Sequence, residues 1–181
     1  VAGASLPILL ALAGKSLIRR ARDGRFALHD LLRQFAGEKL DSDPEARAAV
    51  QRRFAAYYGD RLARLEPDLK GQAQIAALDA IEAEIDHVRL AWMLAIGHRY
   101  DPARRRLLNG LVRFYTMRAR LQASVEMLSG TLDYLHRQFL PAEERDLTAL
   151  IEVFQGLNLL RLSRNQQASA LYQTAMPVVR Q

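Results

Sequence analysis

The sequence contains no cysteine. Disulfides, thiolate metal sites and cysteine nucleophiles are therefore excluded, and a reducing, cytoplasmic setting fits. Glycine and proline are sparse, at 10 and 6 of 181 residues, so each acts as punctuation where it falls. Beta-branched alternation is almost absent after residue 30, which excludes an extensive sheet. The apolar opening VAGASLPILLALAG lacks the positive leading region of a signal peptide. It carries Pro7 inside the run and is too short to span a bilayer, so no membrane partner is expected. Because the chain opens at Val1 rather than Met, it is expected to be a piece of something longer.

Half of the residues are hydrophobic and a quarter are charged, the composition of a globular chain with a core of its own. The net charge of +6 is unevenly placed. Residues 1–40 hold seven Lys and Arg against three acids, and residues 99–120 hold seven Arg against Asp101 alone. Two basic islands on an otherwise mildly acidic chain suit nucleic-acid contact, and equally a solvated arginine-rich surface.

Apolar residues recur at helical spacing along most of the chain. Leu78, Ile81, Ile85, Val88 and Trp92 form one series, and Leu147, Leu150, Ile151, Phe154 and Leu157 another. Helical segments are predicted at about 44–65, 72–96, 102–118, 120–138, 142–162 and 165–176. Asp43-Pro44 and Asp101-Pro102 each place a capping carboxylate before a proline at a helix start.

The first forty residues differ. Ser5 can cap a short helix, LPILLALA, that Gly14 can end. SLIRR and RFALH then flank Asp23-Gly24, the signature of a β-hairpin. Asp30 is placed to cap the helix LLRQFAGEKL. Helix, basic hairpin, helix is the latter part of a winged-helix domain, with the hairpin as its wing.

Near the other end, Gly156, Ala168, Tyr172 and Ala175 combine small residues with one large ring. Ala123, Met127 and Gly130 partly repeat that pattern. Small residues at these offsets let two helices approach closely, the packing logic of tetratricopeptide repeats. Ordinary helical hairpins would satisfy the pattern too. The predicted fold is thus mainly α, a winged-helix remnant with a short β-hairpin followed by helical hairpins of a tetratricopeptide-like superhelix. It divides into residues 1–42 (winged helix), 43–100 (helical linker) and 101–181 (repeats).

Sites of chemistry are scarce. Gly14-Lys15-Ser16 looks like the end of a phosphate-binding loop, but Leu9 stands where the earlier glycine is required. His29, His87, His98 and His136 show no ligand spacing. Glu82, Glu84 and Asp86 form an acidic cluster that reads as a solvated helix face, with Glu82 and Asp86 as an i,i+4 pair. No catalytic constellation is present, so the segment is not expected to be an enzyme, and no metal or cofactor is expected in it. Trp92, Tyr57 and Tyr58 read as core residues. Arg19, Arg20, Arg22 and Arg25 bracket the hairpin turn, where they can meet a phosphate backbone, an acidic partner or only water.

The runs KSLIRRARDGRFALHDLLRQFAGEKL, RRFAAYYGDRLARLEPDLKG and LDAIEAEIDHVRLAWMLAI occur here in order. Together they resemble the bacterial STAND signal-transduction ATPases, the NB-ARC-like regulators that include AfsR-like and MalT-like transcription activators. Asp86-His87-Val88 stands where that family usually shows Asp-Asn-Leu. The resemblance implies a nucleotide-binding module ahead of the winged helix and ATP or ADP as cofactor of the intact protein. It also implies helical repeats that sense a protein partner or effector, with DNA a possible partner of the intact protein. His29, at the start of the matching His-acid-Leu-Leu-Arg run, is then placed to contact nucleotide phosphates. On the residues alone, His29 equally well ends a strand and helps cap a helix.

Overall fold

In a computed structural model, residues 5–20, 26–138 and 144–179 are described. The protein is mainly helical with one short antiparallel hairpin. The elements in order are α1 (Leu6–Gly14), β1 (Ile18–Arg20), β2 (Phe26–Leu28), α2 (Asp30–Asp41), α3 (Pro44–Leu69), α4 (Gln74–Glu82), α5 (Ile85–Gly97), α6 (Asp101–Met117), α7 (Leu121–Arg137), α8 (Arg145–Arg161) and α9 (Asn165–Val179). The hairpin pairs Ile18 with Leu28, Arg19 with Ala27 and Arg20 with Phe26, as the runs flanking Asp23-Gly24 predict. Its turn lies outside the described residues.

Helix starts follow the predicted capping logic at one place and depart from it at three. Asp43 caps α3: its carboxylate accepts the Ala46 N–H at 2.9 Å, and Pro44 follows at the first helical position. Asp30 and Asp101 do not cap. His29 is the last extended residue before α2 (ψ 143°), and its backbone carbonyl accepts the Arg33 N–H at 2.9 Å. Tyr100 holds the same place before α6, its carbonyl taking the N–H groups of Ala103 and Arg104. Both aspartates sit one residue inside their helices, where a carboxylate suits the positive end of the dipole. At Ser5 likewise, no side-chain capping bond forms.

The segment predicted as one helix over 72–96 is two. Glu84 leaves the helical region (φ −127°, ψ 17°), so α4 ends at Glu82 and α5 starts at Ile85. Glu82 and Asp86 therefore belong to different helices, and Glu84 between them is buried; the cluster is no single solvated face.

Four helices end on a residue in the left-handed region that is not glycine: Ser16, Arg99, Ala119 and Ser163, with φ of 57°, 50°, 54° and 60°. At Ala119 the two closing bonds are Ala119 N–H to Thr116 O and Arg120 N–H to Tyr115 O, at 3.1 and 2.8 Å. The same pair of bonds closes the other three. Gly14, expected to end α1, is its last helical residue instead, and Ser16 makes the turn. A Cβ in this region costs free energy that glycine does not. Ala119→Gly is therefore expected to raise stability by about 0.5–1 kcal/mol, the relief being partly offset by glycine's greater freedom in the unfolded chain. Urea unfolding checks it, and a lowered midpoint would contradict it.

One hydrophobic core runs from Ala55 in α3 to Ile151 in α8 and crosses the 100/101 boundary without a break. Trp92 is fully buried in it, with its indole N–H donating to Thr131 Oγ1 at 2.9 Å. Tyr58 is buried there, and Tyr57 packs on it edge-to-face with centroids 5.1 Å apart. Side chains pack directly on the helix backbone at two glycines. A Cβ on Gly110 would fall 2.6 Å from Leu62 Cδ1, and one on Gly156 would fall 2.8 Å from Tyr172 Cζ. The second contact is the approach of α8 and α9 that Gly156, Ala168, Tyr172 and Ala175 predict, with Ala168 and Ala175 both fully buried. Gly130, the partial echo of that pattern, faces open space instead.

Candidate interaction surfaces

Three of the five residues singled out in the N-terminal unit are described. Arg19 and Arg20 are consecutive on β1, so they point to opposite faces of the ribbon, and both are exposed. Neither has an acidic partner among the described residues. Arg22 and Arg25 lie outside the described residues. His29 is exposed at the α2 start, with no side-chain capping bond. Around it, α1 and α2 bury none of their own residues. Leu6, Ile8, Leu10, Leu31 and Phe35 are between 53% and 72% exposed.

The basic island at 99–120 is largely neutralised by tertiary structure. On the surface, Arg106 pairs with Asp60 and Arg118 with Asp79; Arg113 lies 3.4 Å from Glu66, and Arg120 2.7 Å from Glu82. Each acid sits 38–47 residues earlier, on α3 or α4. Such exposed pairs contribute little individually, but together they offset four of the six excess charges that composition displays. Arg105 has no ion pair among the described residues.

Arg104 is different, because it is buried. Its Nη1 lies 2.7 Å from Glu144 Oε2, at the start of α8, and its Nε donates to the Ala95 carbonyl at 3.1 Å, at the end of α5. Glu144 is itself buried, with Arg99 Nε 3.8 Å away. One guanidinium thus ties three helices.

A second polar cluster surrounds Tyr58. Its hydroxyl bonds Glu84, which also lies 3.4 Å from Arg61 Nε, and the His87 ring stacks on the phenol at 5.9 Å. Burial, with the Glu84 carboxylate beside it, pushes the Tyr58 hydroxyl up to about 12. Below its ordinary value of 10.0 the hydroxyl is protonated both folded and unfolded. Between 10 and about 12 the unfolded chain ionises first, so stability falls across that window. The unfolding midpoint is expected to drop more steeply there in the parent protein than in Tyr58→Phe. Equal slopes would contradict it.

Grooves open on the C-terminal helices, and two of them join helices that are not consecutive in the chain. One, of about 350 Å³, lies between α6 and α8, with Asn109, Arg113, Thr116, Phe154, Leu157 and Arg161 among its lining. Arg161 donates to Thr116 Oγ1 at 3.2 Å and has no acidic partner among the described residues, while Leu157 is 43% exposed. The other, of about 740 Å³, lies between α7 and α9 with α8 as its floor. Sequence reading missed both. No local pattern encodes them, because each is lined from helices that are not neighbours in sequence.

Among the described residues, no group of three or more His, Asp and Glu converges to hold a metal. No helix among them is long and apolar enough to cross a membrane. No family model, curated protein or solved structure matches this chain. The fold and surface define a mainly helical protein with a small antiparallel hairpin and open interhelical grooves.

Proposed function

We propose that this chain is the regulatory, protein-interaction segment of a multidomain signal-transduction ATPase or transcription regulator. In this reading residues 101–181 are tetratricopeptide-like repeats that take a protein partner or effector in the α6–α8 groove, where Arg161 lacks an acidic partner beside the apolar Phe154 and Leu157. Residues 1–42 are the end of a winged helix that packs on a nucleotide-binding module. Binding at the repeats biases that winged helix between packed and released states, because a ligand shifts an equilibrium by its differential affinity for the two. His29, exposed at a helix start with no side-chain partner among the described residues, fits a contact to the ATP or ADP phosphates of the intact protein.

The observation that carries the reading is the uneven burial. The helices from α3 to α8 bury large apolar residues in one cluster, while α1 and α2 leave Leu6, Ile8, Leu10, Leu31 and Phe35 exposed. Large apolar side chains left exposed on two successive helices suit a surface that meets another. The double substitution Leu31→Glu, Phe35→Glu tests it. It is expected to lower the binding of a hydrophobic fluorescent dye while leaving the unfolding midpoint in place. A midpoint that falls, with dye binding unchanged, would make these residues part of the chain's own core.

The exposure of Arg19 and Arg20 supports a second reading, a DNA-binding winged helix whose basic wing contacts phosphates. Anisotropy titrations against duplex DNA at two salt concentrations separate the two. Each phosphate contact steepens the salt slope by roughly 0.9. Replacing Arg19, Arg20, Arg22 and Arg25 by Ala would flatten it if the wing holds DNA, and would leave it unchanged if the wing packs on protein.

A further inference from the structure

The larger groove uses a different face of α8 from the smaller one: Gln155 and Leu159 here, Leu157 and Arg161 there. Its floor is apolar, where Val125, Leu159 and Ala168 form a small buried cluster with Leu171 packed on it. Set into that floor is Gln155, only 8% exposed. Its Nε2 donates to Ser129 Oγ at 2.6 Å, and its buried Oε1 has no hydrogen-bond partner among the described residues. A buried acceptor without a donor is costly. Because Gln155 lines the groove, a small rotation of its amide presents Oε1 to an N–H arriving through the groove.

The wall supplied by α7 is acidic. Glu126 accepts from Gln122 Nε2 at 2.9 Å, and Asp133 has no cationic partner among the described residues. Against these two carboxylates the lining holds one cation, Arg164. Between them the wall is flattened by Ser129 and Gly130, and a Cβ on Gly130 would meet nothing within 4 Å. Seven residues of helix separate the two carboxylates, about 10 Å along its axis. A polyproline II chain brings side chains three residues apart onto one edge at about 9 Å, and its backbone N–H groups have no internal partner.

We propose that this groove binds an extended basic peptide segment of a partner protein. Two cationic side chains three residues apart face Glu126 and Asp133, a backbone N–H reaches Gln155 Oε1, and an apolar side chain between the cations covers Leu159 and Leu171. The site is separate from the α6–α8 groove, so it stands or falls independently of the function proposed above.

The test is fluorescence anisotropy with a labelled heptapeptide carrying arginine at its second and fifth positions, leucine at its fourth and alanine elsewhere. The same peptide with glutamate for arginine is the control. The arginine peptide is expected to bind and the glutamate peptide not to. Asp133→Asn and Gln155→Met are each expected to weaken binding roughly tenfold. Gly130→Leu, which fills the groove from a position with free space, should abolish it with no loss of thermal stability. Gln155→Met should leave the unfolding midpoint where it is or raise it, since it removes the buried acceptor. The proposal is overturned if neither peptide binds, if both bind alike, or if Gly130→Leu binds as well as the parent. It is equally overturned if Gln155→Met lowers the midpoint while leaving affinity untouched, because Gln155 would then serve only its bond to Ser129. A concentration-dependent dimer that Gly130→Leu dissolves would make a second copy the occupant and overturn it as well.

Discussion

Arg104→Ala is expected to destabilise the protein by about 3–5 kcal/mol, the cost of leaving one charge of a buried pair uncompensated. Its side chain is 2% exposed and that of Glu144 is 9% exposed, so water cannot replace the lost guanidinium. The substitution also removes one of the two donors to the Ala95 carbonyl at the end of α5, which keeps the Tyr100 N–H. Arg99, 3.8 Å from Glu144, offsets part of the loss from the solvent side. Glu144→Gln should cost less, because the amide oxygen still accepts from Arg104. The double replacement Arg104→Met, Glu144→Leu should recover most of the stability, since a well-packed apolar pair avoids the desolvation of two ions. Urea unfolding of all three variants checks this. An Arg104→Ala cost no larger than that of an exposed arginine would show that the pair does not hold α5, α6 and α8 together.

Trp92→Ala is expected to cost about 3–5 kcal/mol, the range for removing a large buried aromatic side chain. Trp92 is fully buried in the main core, so the cavity opens where α5 meets its neighbours. The lost indole bond contributes less. The Thr131 hydroxyl also donates to the Met127 carbonyl at 3.0 Å, so the truncation leaves it partnered. Trp92→Phe should therefore keep much of the stability. If Trp92→Phe and Trp92→Ala proved equally damaging, the bond to Thr131 rather than packing would be the main contribution.

Periodicity made most of the fold legible. The series through Leu78, Ile81, Val88 and Trp92 names residues that are buried in the core, and Asp43-Pro44 marks the start of α3. What periodicity could not show was the break at Ala83-Glu84. No glycine or proline marks that break, and the apolar series runs on through Ile85 in register. The left-handed turns at Arg99, Ala119 and Ser163 were likewise hidden, because glycine, the usual signal, is missing from each.

Charge was the least legible property. Seven arginines within residues 99–120 read as a basic island because the counterions of four of them, Arg106, Arg113, Arg118 and Arg120, lie 38–47 residues away in sequence. Composition counts charges along the chain, whereas a partner meets them after folding. The grooves were hidden for the same reason, since each is lined from helices whose adjacency no local pattern encodes. The residues of the hairpin were legible as a unit, and the structure places Arg19, Arg20 and His29 on it or directly after it.

The coding sequence upstream of Val1 tests the regulatory reading most directly. A strand followed by G-x4-G-K-[ST] opening a helix is the expected finding, because only a phosphate-binding loop gives the winged helix a nucleotide module to pack against. A reading frame that starts immediately before Val1, or an upstream stretch without that loop, would contradict it. The basic hairpin would then belong to a small DNA- or partner-binding protein.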